Sequence, residues 1–274
     1  MNDSIEQLKS HGFTILKNAI PMEQINNWIE TYQNYFKENP EYTLKTYTHF
    51  DGRITVIPNG MELPEFQHIL VDIINNKPFV DVLNGVCDGK IKHTHGTDVH
   101  MNMPGAKGLH ADITKPHWWG EERVCEEDTD PWVGNIDGET FKVFRYAIYF
   151  QEHKGEEWAF QANLGSHTKL GIYDPTFAVQ PVEYKAEVDP GDIVMFDQRL
   201  GHIGGPHLNG RDRLVVYGAF GKDNIFTDIQ IKSNIKRQKE ERLLNPELKF
   251  DTYKFPENLQ KEFDKAGISY IKEI

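Results

Sequence analysis

The sequence predicts a mainly β fold, in which a jelly-roll core is flanked by α-helices. From about residue 91 to 221, short segments rich in β-branched and aromatic residues alternate with Gly, Pro and Asp turns. Many short strands at this spacing are typical of a β-sandwich or barrel. Apolar residues recur at helical spacing in 1–90 and again in 222–274, which predicts helical flanks on both sides. No linker-like segment divides the chain, so we expect one domain over 1–274.

The N-terminal flank begins with two predicted helices and a strand between them. Asp3 or Ser4 can cap a short helix that ends near Gly12, and residues 13–17 read as a strand. Pro21 is suited to the start of a second helix, because its fixed backbone angle matches the first helical turn. The apolar stripe of this helix predicts a core-facing side made of Ile25, Trp28, Ile29, Tyr32 and Phe36.

A further helix is predicted from about Pro64 to Asn76, where Pro78 breaks it, and a short helix follows to about Val86. The C-terminal flank predicts helices around 233–244 and 256–265. The strands predicted between the two flanks are 97–103, 107–112, 141–150, 157–162, 179–188, 192–197 and 213–220.

Residues 117–140 are predicted to form a loop inserted between two β segments. A loop of this length without secondary structure of its own is usually functional or mobile. Trp118 is a candidate substrate-binding residue, although packing within the loop is an equal alternative. The acidic residues in 121–130 are best read as a solvated loop face.

Composition limits the partners of the protein. The net charge of −12 makes a nucleic acid an unexpected partner. Cys87 and Cys125 are the only cysteines, which fits a reducing compartment and excludes a disulfide scaffold. The first residues lack the pattern of a signal peptide, and no apolar run reaches membrane-spanning length. We therefore expect a cytoplasmic protein that acts on a small molecule, without a membrane; its oligomeric state is open.

The candidate metal ligands are His110 and Asp112, in Gly-Leu-His-Ala-Asp, and His202. On a strand, residues i and i+2 point to the same face, so His110 and Asp112 can reach one ion together. Two imidazoles and one carboxylate form the facial triad of non-haem Fe(II) oxygenases. The same His-x-Asp pattern occurs at 49–51, and His207 is the rival of His202. The downstream context favours the set with His110.

That context is an ordered series. After His110 come the strand-like segment 141–150, a Leu-Gly-Ser-His turn at 164–167, Gly-Asp at 191–192, His202 and, eleven positions later, Arg213. Over roughly residues 10 to 221, this series resembles the phytanoyl-CoA dioxygenase family of Fe(II)/2-oxoglutarate-dependent oxygenases. The resemblance implies a cupin-like double-stranded β-helix, Fe(II) as the cofactor and 2-oxoglutarate as the co-substrate.

The resemblance also implies roles for further residues. Arg213 is expected to bind the far carboxylate of 2-oxoglutarate, because a guanidinium matches a carboxylate with two parallel bonds; Arg211 is the alternative. Asn102 lies near a polar position that family members use toward the co-substrate. At two positions the chain departs from the family: Gly204 stands where Ser is common, and His207 stands where Asn is common.

The expected activity is hydroxylation of a small molecule, with oxidative decarboxylation of 2-oxoglutarate to succinate and CO₂. Asp112 argues against halogenation, which in related enzymes goes with a small residue at that position. One alternative is a catalytically silent cupin-like binding protein, which Gly204 supports. Another is a metal-dependent hydrolase, which leaves Arg213 unexplained.

Three further histidines, His93, His95 and His100, suggest a second metal cluster. No carboxylate or cysteine lies at a fitting spacing from them in the sequence. Ordinary polar or substrate-facing histidines are therefore the favoured interpretation.

Overall fold

A computed structural model describes residues 2–39, 55–57, 59–101, 109–113, 130–132, 134–168, 183–206, 213–232 and 254–273. Six α-helices lie within these ranges: α1 Asn2–His11, α2 Met22–Glu38, α3 Gln67–Ile74, α4 Lys77–Val86, α5 at 225–232 and α6 Glu257–Ala266. Three 3-10 turns accompany them, at Gly60–Glu62, Gly155–Glu157 and Ser166–Thr168.

Ten strands complete the described secondary structure. They are β1 Phe13–Leu16, β2 Thr55–Ile57, β3 Ile91–His93, β4 Asp98–Met101, β5 Val143–Tyr149, β6 Phe160–Asn163, β7 Glu183–Ala186, β8 Ile193–Asp197, β9 His202–Gly204 and β10 Leu214–Lys222.

The strands form two antiparallel sheets. The larger sheet has the order β1-β8-β5-β10-β4-β2, and β3 pairs with the end of β10. The smaller sheet has the order β7-β6-β9. In the described part of the chain, the sheets do not close into a barrel. The predicted class, mainly β with flanking helices, is confirmed.

Each face of the larger sheet is covered by a different layer, because neighbouring residues of a strand point to opposite faces. One face packs against the helices, and its core includes Trp28, Phe66, Phe79, Tyr146, Phe220 and Phe263. The other face packs against the smaller sheet, through a second core that includes Phe13, Tyr149, Phe160, Val194, Phe196 and Val215. The space between the two sheets is therefore the place where side chains from both can meet.

The helices follow the sequence signals that predicted them. Pro21 precedes α2, which buries Ile25, Trp28, Tyr32, Tyr35 and Phe36. The side chain of Asn76 caps α4 by accepting a hydrogen bond from the backbone N–H of Phe79 at 3.0 Å. No helix in the described ranges is both long enough and apolar enough to cross a membrane.

Two local predictions differ from the structure. In the described part of the predicted strand 107–112, only His110 makes a β-bridge, and the chain then bends at 112–113. The helix at 225–232 begins before the predicted one at 233–244, which lies outside the described residues.

Candidate metal centre

His110 and His202 are backbone neighbours. The N–H of His110 donates to the carbonyl of His202 at 3.0 Å, and the N–H of His202 donates to the carbonyl of His110 at 2.7 Å. Directly opposed residues of an antiparallel pair carry their side chains on the same side, and the two ring centroids lie 4.5 Å apart. His202 thus comes from the chain segment directly beside His110.

Asp112 completes the cluster from the bend that follows His110. Its Oδ1 lies 4.0 Å from Nε2 of His110 and 3.8 Å from Nε2 of His202. The three candidate ligand atoms are within 4.8 Å of one another. The three residues that the sequence singled out are therefore brought to one point, with two nitrogen donors and one oxygen donor.

The ring of His202 is fixed by its surroundings. Nδ1 lies 3.0 Å from the carbonyl oxygen of Leu200, which only accepts hydrogen bonds, so Nδ1 carries the proton. Nε2 then presents its lone pair toward Asp112 and His110, as a metal ligand does. The ring packs between Phe160 and Phe196, at centroid distances of 5.3 and 4.6 Å. Burial lowers the pKa of His202 to about 4, so its imidazole is neutral at neutral pH.

Asp112 is held ionised by an arginine that the sequence analysis missed. Nη1 of Arg145, in β5, lies 3.2 Å from Oδ2 of Asp112, and Nη2 lies 3.6 Å from Oδ2 of Asp98. Burial alone would raise the pKa of Asp112, but Arg145 and the two histidines lower it to about 2. The sequence feature that could have indicated a role for Arg145 is that it is the single charged residue in the otherwise apolar segment 143–149.

Arg213 lies just before β10 and is only 3% exposed, so it is not an exposed strand end. Its Nη1 donates to the carbonyl of Gly205 at 3.0 Å, and its guanidinium lies 5.5 Å from the ring centre of Tyr149. A buried guanidinium interacts with an anion more strongly than an exposed one does. The position therefore suits recognition of a carboxylate between the sheets.

Two further polar side chains, those of His100 and Tyr217, accompany Arg145 and Arg213. His100 and Tyr217 are on the same face of the larger sheet, with ring centroids 4.7 Å apart. The guanidinium of Arg145 lies 5.2 Å from the ring centre of Tyr217. Burial lowers the pKa of His100; Asp98 opposes this effect, and the charges of Arg145 and Arg213 add to it. His100 is thus a neutral polar group between the two arginines.

Several candidate residues lie outside the described part of the chain. They are Asn102, Trp118, His207, Arg211 and the His-x-Asp pattern at 49–51. Gly204 is described: it follows His202 in β9 and pairs with Phe160 of β6.

The structure also corrects one expectation about His93 and His95. A carboxylate does accompany them, because Glu62 of the turn Gly60–Glu62 lies against both rings. Glu62 is about thirty positions away in the sequence, a separation that local spacing does not connect. His100 belongs to the opposite face of the sheet and is not part of this cluster.

Comparisons with known proteins identify the fold. No protein-family model matches the sequence, and no curated protein matches it significantly. Among solved structures, the chain is similar to SnoK, a non-haem alpha-ketoglutarate-dependent carbocyclase from nogalamycin biosynthesis, with a TM-score of 0.59 and 11% identity over 81% of this chain and 84% of SnoK.

It is also similar to the epimerase SnoN in complex with Fe³⁺, alpha-ketoglutarate and nogalamycin RO, with a TM-score of 0.58 and 10% identity over 81% of this chain and 83% of SnoN. HygX from Streptomyces hygroscopicus, with nickel, 2-oxoglutarate and hygromycin B bound, gives a TM-score of 0.56 and 14% identity over 81% of this chain and 88% of HygX. At these identities the likeness establishes the fold alone, which this chain shares with SnoK, SnoN and HygX.

Proposed function

We propose that the protein is an Fe(II)/2-oxoglutarate-dependent oxygenase that acts on a small molecule. The main support is the convergence of His110, Asp112 and His202 at one point between two sheets, in a fold shared with enzymes of this kind. The resemblance to the phytanoyl-CoA dioxygenase family is the finer assignment within this proposal.

The donor set fits Fe(II). His202 offers a neutral nitrogen, His110 offers a second imidazole, and Asp112 offers an ionised oxygen. Two imidazoles and one carboxylate suit non-haem Fe(II), and they leave coordination positions for other molecules. Bound iron would supply the activation of O₂ that couples oxidation of 2-oxoglutarate, to succinate and CO₂, with oxidation of the substrate.

The protein residues supply position and charge. We assign the far carboxylate of 2-oxoglutarate to Arg213, whose buried guanidinium can bind it bidentately. Asn102 is proposed as a second co-substrate contact and Trp118 as a substrate contact. Gly204 has no side chain to hydrogen-bond the co-substrate, and we assign that contact to His100, a buried polar side chain whose pKa the charge of Arg213 affects.

We propose hydroxylation as the outcome and the cytoplasm as the location. SnoK is a carbocyclase and SnoN an epimerase, so the fold serves reactions other than hydroxylation. Which outcome follows depends on the substrate atoms that reach the metal centre. The structure of SnoN contains nogalamycin RO and that of HygX contains hygromycin B, which supports a small-molecule substrate here.

The test is the visible charge-transfer band that forms when Fe(II) chelates 2-oxoglutarate without oxygen. We expect the band in the wild-type protein, its loss in His202→Ala and its weakening in Arg213→Ala. Admission of oxygen should then yield succinate. A wild-type protein that binds a metal ion without developing the band would instead be a binding protein. Hydrolysis supported by Zn(II), without O₂ or 2-oxoglutarate, would identify a hydrolase.

A further inference from the structure

The helix-covered face of the larger sheet carries a second group of metal-binding side chains, Glu62, His93 and His95. Glu62 ends the turn Gly60–Glu62, His93 ends β3, and His95 follows two residues later. All three are buried, with exposures of 8%, 0% and 0%. Ala219 and Phe220 are neighbours in β10, so their side chains point to opposite faces of the sheet. His93 packs on Phe220, whereas Arg145, which contacts Asp112, pairs with Ala219. The group therefore lies on the other side of the sheet from Asp112. It is therefore separate from the candidate iron centre.

The spacing of the three ligand atoms fits a shared ion better than hydrogen bonds. Oε1 of Glu62 lies 3.7 Å from Nε2 of His93 and 3.7 Å from Nδ1 of His95. Hydrogen bonds between such atoms are about 2.7–3.2 Å long. Two ligands held about 2.0–2.2 Å from one ion in tetrahedral geometry are roughly 3.4 Å apart. The distances at the candidate iron centre, 3.8 and 4.0 Å, are similar.

His93 gives an independent indication of a ligand. Within the described part of the chain, neither of its ring nitrogens makes a hydrogen bond. Its ring is enclosed by Phe220, Phe255 and Phe263, with centroid distances of 5.0 to 5.5 Å. A buried polar group without a hydrogen bond destabilises the fold, because the contact with water that it lost is not replaced. A metal ion on Nε2 would satisfy the nitrogen that faces Glu62.

His95 is held toward Glu62 by an uncommon backbone conformation. Its φ of +55° lies in the left-handed region, which residues other than glycine adopt rarely and mostly where the surrounding structure requires it. Nε2 of the same ring accepts a hydrogen bond from the N–H of Ile271 at 3.1 Å. A ring bound to an ion through Nδ1 carries its proton on Nε2, so this contact with Ile271 must open when the ion binds.

From these observations we propose that Glu62, His93 and His95 form a second divalent-cation site. Two imidazoles and one carboxylate, buried among aromatic rings, suit Zn²⁺ or another ion that favours nitrogen ligands. Ion binding is coupled to the segment 269–271, which contacts both histidines. The N–H of His93 donates to the carbonyl of Ser269 at 2.8 Å, and the N–H of Ile271 donates to His95. The site is structural and does not depend on the proposed oxygenase activity.

Co(II) is the probe, because its visible absorption reports the ligands directly. Full-length protein, stripped with a chelator, is titrated with Co(II), desalted and assayed for cobalt per chain. The matched variants are Glu62→Gln, which keeps the size of the side chain, and Asp112→Asn at the candidate iron centre. We expect two equivalents in the wild type, one in each variant, and none in the double variant.

The variants separate this proposal from the proposed function. Asp112→Asn leaves the second group intact, so failure of that variant to bind Co(II) overturns the proposal, even where Glu62→Gln does not fold. The proposal is also overturned if the wild type binds one equivalent of Co(II), which Glu62→Gln retains and Asp112→Asn loses. A single equivalent that Glu62→Gln loses and Asp112→Asn retains supports the second site and counts against the iron centre.

Discussion

Arg145 contacts one oxygen of Asp112 and leaves the other to the histidines. Nη1 of Arg145 lies 3.2 Å from Oδ2, whereas Oδ1 lies 3.8 and 4.0 Å from the two Nε2 atoms. The ion pair therefore orients the carboxylate so that a single oxygen is directed at the cluster. Groups that orient a metal ligand in this way commonly affect the affinity for the metal.

Removal of that orientation should weaken metal binding. We expect Arg145→Met to lower the affinity for Fe(II) about 10- to 100-fold, the range typical of residues that support a ligand. Arg145→Lys, which keeps a cation beside Asp112 and Asp98, should lose less. Titration of the Fe(II)-dependent charge-transfer band measures this centre alone. Equal affinities in wild type and Arg145→Met would mean that Asp112 needs no such support.

Arg213 should govern the co-substrate without affecting the ion. Loss of a charged hydrogen-bond partner is worth about 2–3 kcal/mol, so Arg213→Gln should raise the KM for 2-oxoglutarate roughly 30- to 150-fold. Fe(II) affinity should not change, because Arg213 contacts Gly205 and Tyr149, whereas the candidate ligands surround Asp112. Lys185→Gln removes one positive charge from an exposed position and serves as the control. An unchanged KM would mean that another residue binds the far carboxylate of 2-oxoglutarate.

Acid should destabilise the chelator-treated protein through His202. Its pKa is about 4 when folded and about 6.5 when unfolded. Between these values the unfolded chain binds a proton that the folded chain does not, so stability is lost as the pH falls from 6.5 toward 4. For His202 alone the loss between pH 7 and pH 5 is about 2 kcal/mol.

Urea unfolding at pH 7 and pH 5 measures this loss. His202→Asn should reduce the difference in the free energy of unfolding between pH 7 and pH 5. The comparison uses this difference because the substitution also changes stability at each pH. The buried His93, whose pKa is also lowered to about 4, contributes in the same direction and leaves a residual effect. An identical pH dependence in wild type and His202→Asn would contradict the prediction.

Two glycines with positive φ should respond differently to alanine. Gly191 has φ +87°, and a Cβ placed there would lie 2.3 Å from the carbonyl oxygen of Ile20, so Gly191→Ala should cost more than about 3 kcal/mol. Gly155 has φ +61° and no atom within 4 Å of such a Cβ, so Gly155→Ala should cost about 1 kcal/mol. Urea unfolding of both variants is the measurement, and equal costs would show that the contact with Ile20 relaxes.

Features with a local cause were predictable from the sequence. The helix stripe from Ile25 to Phe36 and the strand predicted at 192–197 depend on residues a few positions apart, and the structure contains both. The grouping of His110, Asp112 and His202 was also predicted, because a short motif stood in a longer ordered context. Its premise was partly wrong, since Asp112 lies in a bend and not in a strand.

Features that depend on packing of distant segments could not be predicted. Arg145 was hidden in a strand chosen for its apolar residues, and nothing nearby in the sequence connects it with Asp112 or Asp98. Glu62 reaches His93 and His95 only because a turn before α3 packs beside the end of β3 and β4. Such contacts depend on how the sheet packs against the helices, and the spacing of residues in one sequence does not predict that packing.

The pairing of His110 with His202 gives the candidate metal centre a second consequence. An ion held by these residues would tie together two points of the chain that lie about ninety residues apart, as a disulfide does. Unlike a disulfide, the ion is held only by the folded chain, so it stabilises the fold by its own free energy of binding. A bound ion would thus join the segment 110–112 to β9, and its removal should leave a protein that unfolds more readily.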